Sequence, residues 1–425
     1  MAFQELRFKL SPLSFLDDQR GRAGKFVELS PGPRRELLVW QPAAISQIFR
    51  SERHVRLDGS TTLQPLVGRH SLLFANGERH TAYRKVIGSR LRGHELAACH
   101  GIIRDTTETA VEALGQRSVI DVPAWTRELS LRIISLIIFG RADEALLSRF
   151  AAWTHSALGS RRQALAYRHL RLPTTLPSPW RKFLRERDTL CAGILDSARE
   201  SSGTALIDLL TSGQPPLGLV TDEELTDQVL SLLFAGHETT ASSTTSALHW
   251  LARDEQLLDD VQAELAATGS DGTDPDTTPL LDAVCRETLR ISPPAMVAGN
   301  RVLTQELTLL DQPMAAGTRL TPCIYLAHSQ PDIYPDPHRF DPNRFLGNRP
   351  SAQHYLPFGG GTRRCLGADL ATLEMRMILA ILLRGRTPRH LDPGAAKFTT
   401  RGPALGFGPK LPMVVETLSQ RRRCP

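Results

Sequence analysis

The feature that most constrains the fold is one long helix. Thr221-Asp-Glu-Glu224 forms a capping box, in which the threonine hydroxyl takes a first-turn N–H and Glu224 reaches back to the cap. It opens a helix expected to run to about Arg253, on the order of 48 Å at roughly 1.5 Å per residue, enough to cross a whole domain. Val229, Leu230, Leu232, Leu233 and Phe234 send it through the core. The next residues, Ala235-Gly-His-Glu-Thr-Thr240, break that logic. Glycine inside a helix costs roughly 1 kcal/mol against alanine, and Glu238 brings a charge into apolar surroundings. A core position that violates local rules suggests function. Thr239 can bond the carbonyl one turn back, and reads either as a satisfied core threonine or as a working hydroxyl. His237 has no role that the sequence defines.

A second constraint is Phe358-Gly-Gly-Gly-Thr-Arg-Arg-Cys-Leu-Gly367. Three glycines hold neither helix nor strand; they let the backbone take positive φ and pass close to something bulky. Helical periodicity follows at Ala368, Leu370, Ala371, Leu373 and Met375, so Cys365 sits where a loop becomes a helix. Free N–H groups and the positive dipole end there favour a thiolate. No second cysteine is close enough for a zinc knuckle or an iron–sulfur site. The stretch is either a structural cysteine in a glycine-rich turn or the axial thiolate of a haem lying over the glycines.

Other segments are read by pattern. His80 and Arg84, in Gly77–Lys85, share a helix face that suits an anion or simply faces solvent. Leu280–Arg290 is a helix stopped by Pro293-Pro294, with Glu287 and Arg290 on one face. Helices are also expected at Pro42–Arg50, 104–116 and 125–139, the last buried on nearly all sides. A hairpin is expected around Pro31-Gly-Pro33, with strands near 301–310, 320–325 and 397–411. Residues 161–187, rich in Arg and Pro, read as a mobile connection, and 421–425 as a disordered tail.

Hydrophobic residues at 41% and charged residues at 23% of 425 fit a soluble globular protein. No linker, repeat or low-complexity block divides it, so one domain over 1–425 is expected. No apolar run reaches the ~18 residues of a membrane span, and no secretory segment is visible. The chain should be cytoplasmic, without a membrane anchor. Six cysteines scattered at 99, 191, 285, 323, 365 and 424 are not a disulfide framework. The net charge of +6 comes without an aromatic-interleaved basic stripe. It argues for a basic surface that steers an acidic partner rather than for nucleic acid.

Phe358, Gly361, Arg363, Cys365 and Gly367 match the Phe-x-x-Gly-x-Arg-x-Cys-x-Gly signature of the cytochrome P450 family, which the chain resembles from about Phe26 to Glu416. Ala235–Thr240 is similar to that family's Ala/Gly-Gly-x-Asp/Glu-Thr-Thr/Ser stretch. The resemblance implies a mainly α fold with small β-sheets (α+β), and haem b (iron protoporphyrin IX) between the long helix and the Cys365 helix. It implies Cys365 as metal ligand, with Phe358, Gly361 and Gly367 around the cofactor. Ala235 and Gly236 would leave room for O₂, Glu238 and Thr239 would be the catalytic acid–alcohol pair, and His80, Arg84, Arg301 and Arg363 would meet the haem propionates. Glu287, Arg290 and Arg344 would form a structural triad that supports the cysteine loop.

The implied reaction is monooxygenation of an apolar small molecule, with a place in secondary metabolism, using O₂ and two electrons. The chain has no glycine-rich dinucleotide or flavin fingerprint. Electrons would come from a ferredoxin and its reductase, or a flavodoxin. Substrate-facing segments would be 54–76, 160–180, 295–300 and 403–408, the last with Leu405-Gly-Phe407 as a tip, and 161–187 would be a lid over the channel. A peroxide-driven or coupling haem-thiolate enzyme, and a non-catalytic haem-binding gas sensor or carrier, are the rivals. Glu238 beside Thr239 argues against both.

Overall fold

The long helix is the central element against which most of the other long helices pack. The computed structural model describes residues 3–20, 24–32, 35–57, 63–158, 179–201, 203, 205–348, 350–402, 404–408 and 410–418. The first half runs α1 (Phe3–Leu10), α2 (Pro12–Asp17), β1 (Phe26–Ser30), β2 (Glu36–Val39), α3 (Pro42–Arg50), β3 (Val55–Leu57), α4 (Gln64–Val67), α5 (Gly77–Arg90), α6 (Ala97–Glu112), β4 (Arg117–Asp121), α7 (Val122–Phe139), α8 (Glu144–Leu158), α9 (Pro179–Arg199) and α10 (Leu206–Thr211). The second half runs α11 (Asp222–Leu251), α12 (Glu255–Thr268), α13 (Pro279–Ile291), β5 (Arg301–Leu303), β6 (Leu307–Leu309), β7 (Gln312–Met314), β8 (Arg319–Pro322), α14 (Ile324–Ala327), α15 (Ala368–Gly385), β9 (Arg386–His390), β10 (Phe398–Arg401), β11 (Ala404–Phe407) and β12 (Pro412–Thr417). The mainly helical class with small sheets is as expected.

The capping box forms as read: Glu224 N–H donates to Thr221 Oγ1 at 3.2 Å, and Thr221 N–H to Glu224 Oε2 at 3.1 Å. From this cap α11 spans 30 residues and packs along α7, where Ile133, Ile134 and Ile138 are buried. A five-stranded sheet, ordered β1-β2-β8-β5-β3, stands to one side, with β2 and β8 parallel. A three-stranded sheet β4-β12-β9 and the hairpins β6-β7 and β10-β11 complete the strands. One apolar cluster joins α7, α8, α10 and the first half of α11. A second lies under the five-stranded sheet, and a third joins the end of α11 to α12, α13 and α15.

Several boundaries move for identifiable reasons. α6 covers Ala97–Glu112 rather than 104–116, and α7 starts at Val122 because Pro123 fits a first helical turn. Tyr325, expected in a strand, belongs to the short helix after β8. The connection expected at 161–187 lies mostly outside the described residues, but from Pro179 onward it is helix. There Phe183 stacks between Trp153 at 4.9 Å and Trp180 at 5.4 Å, an apolar anchor that outweighs the surrounding arginines. The tail at 421–425 also lies outside the described residues.

The triad forms with no solvent at its centre. Arg290 donates to both Glu287 carboxylate oxygens at 2.6 and 2.7 Å, and Arg344 Nε lies 3.5 Å from Glu287 Oε1. Arg290 also donates to the carbonyls of His328, Pro337 and Arg339. His328 Nε2 in turn accepts the Leu356 N–H at 2.7 Å, so the triad steadies the approach to the cysteine loop.

Candidate active site

A cavity of about 380 Å³ opens between α11, α5, the 294–299 segment and the start of α15. Ala235, Gly236 and Thr239 line it from α11, His80 and Arg84 from α5, and Arg301 from β5. Phe358, Arg363, Cys365 and Gly367 line it from the loop before α15. The sequence scatters these residues over nearly 300 positions, and the fold brings them to one lumen.

Cys365 presents its thiol to this lumen while its N–H donates to Phe358 O at 2.9 Å. The N–H and cationic groups expected to favour the thiolate are present, but in the chain by itself desolvation outweighs them. Burial pushes the thiol up, against the Gly367 N–H and the charges of Arg364 and Arg84. A coordinated metal deprotonates a thiol outright, so ionisation here accompanies ligation.

The glycine run takes positive φ as expected and lines the lumen at Gly359 and Gly360, and it also does a second job in packing. Gly359 and Gly361 take positive φ, +67° and +68°. A Cβ on Gly360 would meet the Phe49 ring at 2.4 Å, and one on Gly361 would meet Glu52 Oε1 at 2.2 Å. These glycines therefore let the loop lie on α3 and the turn after it, and Gly361 is not among the residues that line the lumen. Gly236 likewise serves packing: a Cβ there would sit 2.7 Å from Ile134 Cγ1 of α7. Ala235, exposed in mid-helix, faces the lumen.

One end of the lumen gathers positive charge. His80, Arg301 and Arg363 also border an outer depression lined by Glu52 and Asn76. Burial, with the charges of Arg363 and Arg84, lowers His80 to about 4. Burial and Arg301 lower Arg363 to about 10. Arg301 is 2% exposed, and its Nε has no partner among the described residues. Three guanidinium groups and an imidazole with so few acceptors make a site for carboxylates. Together with one soft sulfur donor in the lumen, the donor set fits a metal macrocycle whose carboxylates lie at one edge.

Thr239 donates its hydroxyl to Ala235 O at 2.7 Å, the bond expected of a mid-helix threonine. Glu238 turns away from the lumen. Its Oε1 accepts from Arg401 Nε at 3.1 Å and lies 3.3 Å from His237 Nε2. Burial alone would raise this carboxyl, but His237, Arg401 and Arg127 hold it at about 2. His237 and Arg401 were not legible as site residues: nothing in the sequence couples position 401 to position 238.

The expected tip at Leu405-Gly-Phe407 does not line the lumen. It is strand β11, with Leu405 N–H donating to Pro294 O at 2.8 Å and Ser242 Oγ to Leu405 O. Of 295–300, Ala295, Val297, Ala298 and Gly299 do line it, as do Leu57, Leu72 and Leu73 from the expected early loop. Behind Cys365, Glu374 of α15 also borders it, and burial pushes its carboxyl up to about 8. This residue too was missed, since a helical Glu reads as a surface residue.

Comparison with known proteins agrees with this arrangement. The family profile described as Cytochrome P450 matches residues 1–393. A putative cytochrome P450 135B1 of Mycobacterium tuberculosis is 33% identical over 353 residues, 81% of this chain and 74% of that protein. The cyclooctat-9-en-7-ol 5-monooxygenase of Streptomyces melanosporofaciens is 29% identical over 423 residues, 95% of this chain and 91% of that protein. The structure of retinoic acid bound cyanobacterial CYP120A1 superposes with a TM-score of 0.85 at 23% identity, covering 97% of this chain and 96% of that one. The chain belongs to the cytochrome P450 family, and is a haem b monooxygenase that uses O₂ and takes electrons from a redox partner.

Proposed function

We propose that the lumen oxidises an apolar small molecule, and that the chain serves secondary metabolism. The observation that carries this is the lining. Leu57, Leu72, Leu73, Leu232 and Val297 supply an apolar wall. Two of the polar groups beside them are already spent: Gln228 Oε1 accepts from Leu72 N at 2.9 Å, and Ser231 pairs with Ser71 at 2.7 Å. An apolar wall with few free polar groups favours an apolar guest. A relative named for monooxygenation of cyclooctat-9-en-7-ol supports the same class.

In this reading Cys365 ligates the iron, and Phe358, Gly361 and Gly367 shape its loop. His80, Arg84, Arg301 and Arg363 hold the propionates. When bound, haem supplies the one-electron chemistry that places one oxygen of O₂ on carbon and releases the other as water. Ala235 and Gly236 keep that part of α11 low. Thr239, its own hydrogen given to Ala235, accepts a hydrogen bond from water, and Glu238 replenishes that water with protons when it turns inward. Exposed Arg364 and Arg92, whose charges reach the Cys365 and Arg84 environment, mark the face for an acidic ferredoxin or flavodoxin.

The test is a panel of terpenoid alcohols, steroids and fatty acids added to the haem-loaded protein. An apolar compound that displaces the iron-bound water shifts the haem spectrum, and with a ferredoxin chain yields an oxygenated product. If no apolar compound shifts it, the substrate class is wrong. Turnover with peroxide but not with the donor chain overturns the O₂-dependent reading.

A further inference from the structure

His237 is the member of the Ala235–Thr240 stretch that the proposed function leaves unused, yet its hydrogen bonds define its protons. The ring is 3% exposed. Nδ1 lies 2.6 Å from Leu233 O. A carbonyl oxygen only accepts, so Nδ1 carries a hydrogen. Nε2 faces Glu238 Oε1 at 3.3 Å. That oxygen already accepts from Arg401 Nε at 3.1 Å, so it belongs to a carboxylate paired with a guanidinium. A bare Nε2 would oppose lone pair to lone pair in a buried site, the costly arrangement. The ring therefore carries hydrogen on both nitrogens.

The surroundings of this imidazolium are unequal in what they can give up. Glu238 faces Arg401 from β10, the charge of Arg127 from α7 reaches it, and His155 of α8 lies 3.5 Å from Arg401 Nη1. Phe150 closes the other side, edge-on at 5.5 Å. Guanidinium groups do not deprotonate in proteins. Of the cations in contact with Glu238, only His237 has a proton to release.

We propose that His237 is a proton-holding residue for oxygen activation, acting through Glu238 as a positioning residue that never touches the lumen. The inference rests on the Glu238–Thr239 reading above. The Nε2–H bond breaks with its electron pair left on nitrogen, an O–H bond forms on Glu238, and no electron moves. The neutral acid, freed from its pairing with Arg401, turns inward and gives that proton to the water at Thr239, returning as carboxylate. This is one of the two protons that each turnover consumes with O₂ and the two donor electrons. The cycle closes when neutral His237 regains a proton that comes in the end from solvent.

The direct test is nitrogen-15 NMR of histidine-labelled, haem-loaded protein in its diamagnetic ferrous carbonyl form, with H237Q assigning the signal. Both ring nitrogens are expected at protonated positions at neutral pH, with Nε2 losing its proton in E238Q. An unprotonated Nε2 in the unaltered enzyme overturns the proposal. The second arm uses the compound giving the largest spectral shift in the panel above. H237Q, whose amide still donates to Glu238 but has no proton to give, is expected to cut product per electron severalfold and enlarge the solvent isotope effect. If E238Q is impaired in this way and H237Q is not, the proton-holding role fails while the Glu238 reading stands. If E238Q is unimpaired, the acid–alcohol reading fails and this inference with it.

Discussion

Glu374 illustrates how one buried side chain can set a pH dependence for the whole fold. It is 2% exposed, Oε1 has no partner among the described residues, and burial raises its carboxyl to about 8. Between the ordinary carboxylate range and about 8, the unfolded chain has this group ionised and the folded chain holds its proton. The folded state binds more protons there, so this group's contribution to stability falls as pH rises through that window. Glu374→Gln keeps the shape and removes the ionisation. The variant is expected to melt above the unaltered enzyme at pH 8.5 by an amount on the order of a few kcal/mol, and by much less at pH 5. Thermal melts at both pH values check this, and an equal difference at the two overturns it.

At the scale of elements, the packing of α7 on α11 depends on a missing methyl group. Gly236→Ala would place a Cβ 2.7 Å from Ile134 Cγ1, and overpacking of this kind costs roughly 1–3 kcal/mol. Ile134→Ala in the same chain should recover most of that loss, so the two substitutions are expected to couple favourably in a double-mutant cycle by urea denaturation. Additive losses would show that Gly236 serves something other than helix contact. The triad makes a second case. Glu287→Gln leaves Arg290, 1% exposed, without its counter-charge, and a broken buried pair costs roughly 3–5 kcal/mol. Because His328 links Arg290 to Leu356, the purified variant is expected to retain little haem, read as a lost carbonyl band.

These two cases also mark what the sequence could reveal. The capping box at Thr221 and the apolar period of α7 are local patterns, so α11 and its partner were legible with their boundaries nearly right. The lumen residues were legible only as pieces of motif. That Gly236 answers to Ile134, or Glu238 to Arg401, depends on contacts between residues about 100 and 163 positions apart. The three glycines before Cys365 were read as clearance for a flat group because the local chemistry allows it. Phe49 and Glu52, which a side chain at Gly360 or Gly361 would meet, lie far away in sequence.

Over the whole molecule, the clusters around α11 meet at a lumen that charges one rim positively, and stability and cofactor affinity are therefore linked with opposite signs. In the chain alone these guanidinium groups are held down: Arg363 by burial and the charges of Arg301 and Arg84, Arg84 by burial and the charges of Arg92 and Arg364, and Arg301 by burial. A bound carboxylate turns the same groups into charge-assisted donors, each worth roughly 1.5–3 kcal/mol. Arg301→Met, similar in length and uncharged, removes both contributions. The haem-free variant is expected to have a urea midpoint at or above that of the unaltered apoprotein, since a buried charge without a counter-ion, its Nε unpartnered among the described residues, has been replaced by an apolar chain. Haem loss to apomyoglobin should be faster by roughly 10- to 100-fold, the equivalent of about 1.4–3 kcal/mol. The holoprotein's midpoint then falls even as the apoprotein's rises, because a ligand that binds only the folded state stabilises it by its affinity. If both midpoints fall together, Arg301 is a structural residue that the fold itself requires, and the rim is not organised around a bound anion.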